Sequence, residues 1–430
     1  MHSSTRNKRK IVNDPVHGFI NIPYDIIFDL IEHPFFQRLR RIKQLGLTSF
    51  VYPGATHTRF QHALGAAYLM NTVISVLRHK GQDISDHEAE AASIAILLHD
   101  IGHGPFSHAL ENTIIKYIDH EELSILFMNE LNRLFNQRLD LAIQIFTGQY
   151  HKKFLHQLVA SQLDMDRLDY LKRDSFFTGV TEGVIGSDRI VRMMNVANDQ
   201  LVVDIKGIYS IEKFLIARRL MYWQVYFHKA VLSAELLLVN ILKRAKELAG
   251  NKVNLFSTPA LEYFLYHDIT RHDFLSEMND AAKENQVLSP EKSLLYRFAS
   301  LDDNDIISSA KTWAVHQDPV LSRLCRNLIN RNLYRIELQK EEFEKQRINR
   351  VRETVMQSYG IDEKESDYFV FTNTISNYAY SADDERIQIL LQNGDLKDVT
   401  EASDMLDMSI LSKTVTKHYL CYPKDIEIIK

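Results

Sequence analysis

The stretch His99-Asp100-Ile101-Gly102-His103-Gly104-Pro105-Phe106-Ser107-His108 decides the fold, because it places three histidines and a carboxylate within ten residues. The run before it, residues 89–98, is almost entirely apolar or small, which predicts a buried helix that ends at the His-Asp pair. Burying imidazole and carboxylate together is costly unless they are paired, hydrogen-bonded or bound to a metal. The glycines and the proline then turn the chain sharply. The stretch therefore predicts a functional site rather than histidines that only offset a helix dipole.

The composition is typical of a globular protein with two or three domains. The 430 residues are 45% hydrophobic and 25% charged, and the formal net charge of −5 excludes a global basic field for nucleic acid. The two cysteines have no metal-binding spacing, which favours a reducing compartment. Neither a signal-peptide core nor a membrane-spanning run is present in the sequence. We expect a cytoplasmic protein without a membrane partner, and the short basic run at residues 6–10 leaves nucleic-acid binding open.

Residue patterns predict a mainly α-helical chain with a smaller α+β appendage at its C-terminal end. Alternating apolar residues around proline and glycine predict a hairpin over residues 11–22. Helical periodicity predicts helices at residues 24–33, from 34 onward, and at 63–77, 89–98, 131–146 and 210–248. Strand-like runs occur at residues 201–205, 333–338, 368–371 and 387–391. We therefore expect a helical core domain at residues 1–270 with the N-terminal hairpin, a helical extension at 271–330 and a small α+β domain at 331–430.

Four aspartates lie within eleven residues of one predicted helix, among Leu and Met residues. Asp166, Asp169 and Tyr170 have the spacing that places them on one helical face. Acidic residues beside apolar ones indicate a carboxylate turned inward to a cation. A salt-bridged helix that uses Arg167 and Arg173 is the alternative, and this stretch alone leaves both open.

Together, His62, His99, Asp100 and Asp166 make a mixed nitrogen and oxygen ligand set that suits Mn, Fe, Zn, Ni or Mg. His57 is five residues from His62 and does not share its helical face, so we expect only one of the two to bind metal. Such a set leaves ligand positions for water and substrate, and a metal-bound water is a nucleophile near neutral pH. The histidines at 103, 108 and 120 remain for acid–base work, and the cations at 59, 167, 218 and 229 for phosphate. These residues imply hydrolysis of a phosphoester or phosphoanhydride.

The order of these residues resembles the H…HD…D signature of the HD-domain phosphohydrolases. The resemblance extends to the deoxynucleoside triphosphate triphosphohydrolase branch of that family over residues 10 to about 235. It is carried by the HD stretch and by the segments Asn13–Gly18, Phe36–Arg40, Ile42–Gly46, Tyr52–Ala55 and Arg59–Phe60. We therefore expect an HD-domain helical core, and a reaction that cleaves at the α-phosphorus to give a deoxynucleoside and inorganic triphosphate.

The resemblance also implies roles for single residues. The four metal ligands match His62, His99, Asp100 and Asp166. The catalytic cluster matches His108, Glu111 and His120, although the family usually has Asp at position 111. Phosphate contacts match Arg59, His103, Arg167, Tyr170 and Arg218, whereas the sugar pocket, where a packed aromatic would reject a ribose 2′-hydroxyl, matches Gln44, Asp174 and Tyr226. One divalent metal ion per site is implied, and a second Mg²⁺ that arrives with the nucleotide is left open.

The resemblance also implies an activating nucleotide that binds between subunits. The matching positions are Lys10, Asn13, Glu32, Gln37 and Arg40, but Glu32 stands where the family has a guanine-reading Asp. Because the HD region begins near residue 10, we expect no SAM domain before it. The family is oligomeric, which predicts a homodimer or homotetramer. The alternatives are an HD phosphohydrolase that acts on another nucleotide or phosphoester, and a nucleotide-sensing regulator with little turnover.

Overall fold

Helices form most of the protein, and short strands lie among them. A computed structural model describes residues 10–106, 110, 113–283, 288–289, 292–377, 380, 386–404 and 413–426. These residues form nineteen α-helices and eleven strands, so the mainly helical prediction is confirmed. Across the same residues, no single helix is long and apolar enough to cross a membrane. One bent pair, Ile205–Tyr226 with Lys229–Gly250, meets the length and composition requirement only when its two parts are joined.

The N-terminal hairpin has the predicted position. Strand β1 (Ile11–Asp14) pairs antiparallel with β2 (Gly18–Asn21). Asp14 closes the turn because its Oδ1 accepts hydrogen bonds from the backbone N–H groups of Val16 and His17. Gly18 has a φ of +76°, a conformation that glycine adopts without a Cβ clash.

The helical core follows the hairpin. Its helices are α1 (Asp25–Glu32), α2 (Pro34–Gln37), α3 (Arg59–His79), α4 (Asp86–Leu98), α5 (His120–Leu134), α6 (Asp140–Phe146), α7 (Lys153–Val159), α8 (Met165–Thr178), α9 (Ser187–Met193), α10 (Ile208–Met221) and α11 (Lys229–Gly250). Helix α4 begins with a capping box, since Ser85 and Glu88 each accept the other's backbone N–H in their side chains. The helix predicted from Pro34 is α-helical for four residues and then tightens into a 3-10 turn, Arg38–Arg41.

The helix predicted over residues 131–146 is wrong as a single element. Helix α5 ends at Leu134, and Asn136 and Gln137 follow in the left-handed region with φ values of 56° and 61°. The side chain of Asn132 stabilises this break by accepting a 2.7 Å hydrogen bond from Leu139 N. A side chain that satisfies backbone groups at a helix end competes with continuation of the helix.

The long helix predicted over residues 210–248 is also divided. Helix α10 runs into a π-helical turn, Tyr222–Tyr226, before α11 begins at Lys229. The ring of His228 caps α11 by accepting a hydrogen bond from Ala230 N at 3.2 Å. π-Helical turns are rare and occur frequently at functional sites.

Helix α3 packs between α4 and α8, and this packing depends on one small residue. A Cβ atom on Gly65 would lie 2.0 Å from Asp169 Oδ1 and 2.2 Å from Arg173 Nη2. Glycine therefore permits the close approach of α8, which places two of its polar side chains directly against α3.

The described part of the second half of the chain adds further helices and six strands, which form three small sheets, two of them together with strands of the first half. Its helices are α12 (Pro259–Tyr266), α13 (Arg271–Lys283), α14 (Leu294–Ala299), α15 (Asp303–Trp313), α16 (Pro319–Ile329), α17 (Lys345–Tyr359), α18 (Glu363–Ser366) and α19 (Val399–Ala402). The remaining strands of the chain are β3 (Ile115–Lys116), β4 (Met194–Ala197), β5 (Gln200–Asp204), β6 (Ile269–Thr270), β7 (Arg335–Gln339), β8 (Phe371–Asn377), β9 (Gln388–Leu390), β10 (Leu396–Asp398) and β11 (Val415–Tyr422).

Strand pairing connects the C-terminal part to the core. One sheet has the order β10-β9-β5-β4, a second has the order β7-β11-β8, and β3 pairs with β6. The parallel β5–β9 pair joins residues 202–204 to residues 388–390. Strands predicted at 201–205, 333–338 and 387–391 are present, whereas the run at 368–371 becomes a strand only at Phe371. The domain limits at residues 270 and 330 stay a prediction.

Candidate metal centre and substrate cavity

The His-Asp pair lies where the sequence predicts, at the buried C-terminal end of α4. His99 is the residue that follows the helix, and its Nδ1 lies 2.6 Å from the carbonyl oxygen of Ile96. A carbonyl only accepts, so Nδ1 carries the proton and Nε2 keeps a free lone pair for a cation. The backbone of α4 thereby sets the orientation of the imidazole.

Three elements bring the four expected metal ligands together. Nε2 of His62, on α3, lies 3.3 Å from Nε2 of His99 and 3.0 Å from Oδ1 of Asp166, on α8. Candidate ligand atoms of these three residues all lie within 4.8 Å of one another. Asp100 is adjacent, with Oδ1 3.4 Å from His99 Nε2 and Oδ2 3.8 Å from His62 Nε2. Two imidazole nitrogens and two carboxylates fit a divalent metal ion of borderline or hard character.

Asp169 lies behind the cluster and orients His62. Its Oδ2 accepts a 2.8 Å hydrogen bond from His62 Nδ1, so Nε2 of His62 faces the other ligands. His17 Nε2 lies 2.6 Å from Asp169 Oδ1, and Arg173 donates to both carboxylate oxygens. Arg173 also donates to Asp14 in the N-terminal hairpin. Outer contacts of this kind fix the tautomer of a ligating histidine and raise its basicity.

The electrostatics of the cluster favour a bound cation. Burial disfavours a charged imidazole, but hydrogen bonds with Asp166 and Asp169 outweigh it and raise the pKa of His62 to about 10. Burial likewise raises the pKa of Asp166, but hydrogen bonds with His62 and His99 hold that pKa far below its usual range. The carboxylates therefore retain a proton on His62 as their counter-charge. A divalent ion would replace that proton, since metal binding requires the neutral imidazole.

A cavity of about 1250 Å³ opens beside the cluster. Its walls include His99, Asp100 and Asp166 together with the cationic side chains of Arg59 and Arg167. This volume exceeds the roughly 300–1,000 Å³ typical of small-molecule sites. A multiply charged, extended ligand could therefore lie with its anionic end against the metal ligands.

Of the arginines predicted to contact phosphate, two form hydrogen bonds with carboxylates and the third has donor atoms without a partner among the described residues. Arg59 Nη1 lies 2.5 Å from Asp100 Oδ2, and Arg167 donates to Asp164, the buried N-cap of α8. Arg218 is buried, and within the described residues its Nε and Nη1 atoms have no hydrogen-bond partner. Burial raises the pKa of Tyr170, and the positive charge of Arg218 opposes that shift. A buried guanidinium with free donors is costly, but Arg218 is not among the described residues that line the cavity.

His103 and His120 stack on each other at the cavity wall. Their ring centroids are 3.9 Å apart with an interplanar angle of 15°, and His120 is the first residue of α5. Burial, together with the charge of Arg59, lowers the pKa of His103 to about 3, so its ring is neutral near pH 7. The other two catalytic candidates, His108 and Glu111, lie outside the described residues.

The sugar-pocket candidates form one hydrogen-bonded group. Tyr226, in the π-helical turn, donates a 2.7 Å hydrogen bond to Asp174 Oδ2, and His57 Nε2 lies 2.7 Å from Asp174 Oδ1. The ring of Tyr226 packs 5.0 Å from that of Tyr222 and 6.4 Å from that of Tyr170. Gln44 lies on the same cavity wall. His57 is thus a partner of Asp174, whereas His62 belongs to the metal cluster.

The five activator-site candidates lie away from this cavity. Lys10, Asn13, Glu32 and Arg40 are exposed, and Gln37 is half-buried. Gln37 accepts a 2.9 Å hydrogen bond from Arg40 Nε, and the Arg40 guanidinium lies over the ring of Phe60. None of the five appears among the described residues that line the cavity. They occupy the surface formed by the hairpin and the segment from α1 to the following 3-10 turn.

Sequence reasoning missed several residues that build the site. The helical spacing predicts the face of Asp169 and names Arg173 as a salt-bridge partner, but it gives Asp169 no role at the metal cluster and does not assign His17. Arg38 is fully buried and donates 2.8 Å hydrogen bonds to the carbonyl groups of Ile101 and His103, which fixes the turn after the His-Asp pair. In the sequence, His17 and Arg38 are marked only by their position within the segments that carry the family resemblance, Asn13–Gly18 and Phe36–Arg40.

Comparisons with known proteins agree with this geometry. The HD domain family matches residues 59–174, and the HD associated region matches residues 185–256. The protein YwfO of Bacillus subtilis is 33% identical over 98% of this chain and 93% of its own length. The deoxynucleoside triphosphate triphosphohydrolase SAMHD1 homolog of Dictyostelium discoideum is also 33% identical, over 57% of this chain and 51% of that protein. The chain therefore spans about half the length of that relative.

A solved structure resembles the whole chain. The crystal structure of a phosphohydrolase from Bacteroides thetaiotaomicron superposes with a TM-score of 0.91 at 53% sequence identity. The match covers 97% of this chain and 100% of the other. Similarity thus extends beyond the HD segments to the C-terminal helices and strands.

Proposed function

This chain belongs to the HD-domain phosphohydrolases, and from that premise we propose that it hydrolyses deoxynucleoside triphosphates to a deoxynucleoside and inorganic triphosphate. One observation carries the proposal: a cluster of two histidines and two aspartates that fits a divalent metal lies at the wall of a cavity that also presents Arg59 and Arg167. A triphosphate is a ligand that needs both metal and guanidinium partners. The SAMHD1 homolog of Dictyostelium, by its name a deoxynucleoside triphosphate triphosphohydrolase, supports the same substrate class.

The metal-binding residues and the cations divide the chemistry between them. His62, His99, Asp100 and Asp166 would hold the metal, which when bound supplies charge neutralisation at phosphate and a water of lowered pKa. Arg59 and Arg167 bind phosphate oxygens from the cavity wall. His120 lies against a neutral His103 ring and is the described side chain best placed to exchange a proton with the leaving group. In the proposed step a water oxygen forms a bond to the α-phosphorus, the bond from that phosphorus to O5′ of the deoxyribose breaks, and O5′ leaves with a proton as the deoxynucleoside hydroxyl.

The sugar is recognised through shape as well as hydrogen bonds. Both carboxylate oxygens of Asp174 already accept hydrogen bonds, from His57 and Tyr226, which holds the Tyr226 ring in place. A ribose 2′-hydroxyl against this aromatic surface would lose its water partners without replacement. We therefore expect deoxynucleotides to be preferred over ribonucleotides.

A second copy of the chain belongs to the same proposal. Ile11 and Phe19 are 64% and 72% exposed on the hairpin, next to the activator-site candidates Lys10 and Asn13. Exposed apolar side chains that are surrounded by polar and charged ones are typical of a protein–protein interface. We propose a homodimer or homotetramer that uses the hairpin, with a nucleotide activator at this contact.

Product analysis tests the proposal. Purified protein with Mn²⁺ is incubated with each dNTP singly, then with the four together, and then with each ribonucleotide. Triphosphate plus deoxynucleoside is the expected result, and activity only in the mixture would place an activator at the hairpin. Orthophosphate or pyrophosphate would move the enzyme to another substrate class. Tight binding without hydrolysis would favour a nucleotide-sensing regulator.

A further inference from the structure

One carboxylate lies far from the His-Asp pair in sequence but accepts hydrogen bonds from two segments that adjoin the site. Asp303 is the first residue of α15, lies outside both family segments, and is only 6% exposed. Its Oδ1 accepts a 3.2 Å hydrogen bond from Phe106 N, and its Oδ2 accepts a 3.0 Å hydrogen bond from Lys43 N. A single side chain thus ties together two segments that are separated from it by 197 and 260 residues.

The first of these segments carries backbone strain. Phe106 has a φ of 50°, which is unfavourable for a side chain with a Cβ. Its ring lines the cavity, and in sequence it lies between His103 and His108. A strained residue persists only where surrounding contacts hold it, and such residues cluster at functional sites. The Asp303 hydrogen bond is one of those contacts.

The second segment leads to the metal cluster. Lys43 forms a β-bridge with Thr58, and Gln44 N donates to the carbonyl oxygen of His57. Arg59 N in turn donates to the carbonyl oxygen of Ile42. Residues 42–44 therefore hold the chain that enters α3, the helix that carries Arg59 and His62.

We propose that Asp303 is a positioning residue that clamps the segment carrying His103 and Phe106 against the segment that enters α3. The proposal rests on the proposed phosphohydrolase function, since its purpose is to keep the acid–base residues aligned with the metal ligands. The ionised carboxylate holds both backbone N–H groups more strongly than the protonated one, because protonation turns one oxygen into a hydroxyl that donates and is a weaker acceptor.

The charge of Asp303 is set by its surroundings. Burial raises the pKa of Asp303 to about 6, against the opposing effects of the two backbone hydrogen bonds and of the Lys43 charge. Asp302 is the other acidic neighbour that raises this pKa, and it is itself paired with Arg41. Asp305, on the same helix, accepts a hydrogen bond from Thr258. The clamp should therefore hold above pH 6 and loosen as the pH falls through that value.

Hydrogen exchange of the full-length protein tests the clamp without relying on activity. The amides of Lys43 and Phe106 are followed between pH 5 and 8, after correction for intrinsic exchange rates. We expect the protection of both amides to decrease below pH 6 in the wild type. In Asp303→Asn, which has a single acceptor oxygen, we expect at least one of the two amides to be poorly protected at every pH. Asp302→Asn is the matched control, because Asp302 caps the same helix and pairs with Arg41 but contacts neither amide. Wild-type amides whose protection does not change with pH would overturn the proposal.

Kinetics provides the second readout. Asp303→Asn should lower kcat by about 10- to 100-fold at pH 7.5, the cost of misplacing catalytic groups, and should remove the loss of activity near pH 6. KM should change much less, and Asp302→Asn should keep the wild-type kcat at pH 7.5 while its acid limb moves to lower pH, because Asp302 raises the pKa of Asp303. An Asp303→Asn enzyme with wild-type kcat and the same acid limb would refute positioning. The wild-type amides could lose protection below pH 6 as expected while the protein hydrolyses no nucleotide. That pair of results would refute the proposed function but still support the positioning contact made by Asp303.

Discussion

The role of Asp169 as the residue that orients His62 leads to a quantitative prediction for Asp169→Asn. Asn has nearly the same shape, but it lacks the charge and offers one acceptor oxygen instead of two. In the native protein, the two carboxylate oxygens serve His62, His17 and two nitrogens of Arg173, all in a fully buried position. The substitution therefore leaves at least one of these donors without an acceptor.

Two magnitudes follow from these contacts. Loss of an outer partner of a ligating histidine typically weakens metal binding by about 10- to 100-fold, or about 1.4–2.7 kcal/mol. Breaking a buried ion pair costs about 3–5 kcal/mol of folding free energy. Arg173 keeps its hydrogen bonds to Asp14, so we expect the lower end, about 3 kcal/mol.

Metal affinity and stability are measured separately to test this reasoning. Calorimetric titration of metal-free protein with Mn²⁺ gives the affinity, and chemical denaturation of the metal-free protein gives the stability. Asp318→Asn is the control, because Asp318 pairs with Arg244 away from the cavity and its loss should lower stability but not metal affinity. Wild-type Mn²⁺ affinity in a folded Asp169→Asn protein would refute the orienting role.

Four further substitutions separate binding, catalysis, packing and assembly. Asp166→Ala should abolish both metal binding and turnover, and a metal-replete, active variant would remove Asp166 from the ligand set. His120→Ala should lower kcat by about 100-fold with metal content unchanged; loss of metal would instead make His120 part of the metal site. Gly65→Ala should destabilise the fold by about 1–3 kcal/mol, because its Cβ meets Asp169 and Arg173; unchanged stability on denaturation would show that α8 can move aside. Phe19→Asp should shift the protein to a smaller mass in light scattering, and an unchanged mass would exclude the hairpin from the interface.

Local patterns in the sequence predicted the helical core well. The helix predicted at residues 89–98 lies within α4, which a capping box at Ser85 and Glu88 starts three residues earlier. The aspartates of residues 164–174 divide between the two competing interpretations. Asp166 joins the histidine cluster, whereas Asp164 and Asp169 pair with arginines. Both interpretations of this stretch were therefore partly correct, because neighbouring positions on one helix face different surroundings.

Contacts between distant residues account for most of what the sequence did not reveal. Asp169 and His17 are 152 residues apart, and Asp303 and Phe106 are 197 apart, so no spacing rule links them. The break after Tyr222–Tyr226 lacks the glycine or proline that usually marks a helix end, and it depends on the cap supplied by His228. The family resemblance was confirmed, but it assigned residues that touch metal and substrate and not those that hold them in place.

The central claim is that water attacks the α-phosphorus at this metal centre, and hydrolysis in H₂¹⁸O tests it most directly. Mass spectrometry of the products from a single dNTP locates the label. We predict inorganic triphosphate that carries one ¹⁸O atom and a deoxynucleoside that carries none. Label in the deoxynucleoside, or label only in orthophosphate or pyrophosphate, would contradict the proposed reaction.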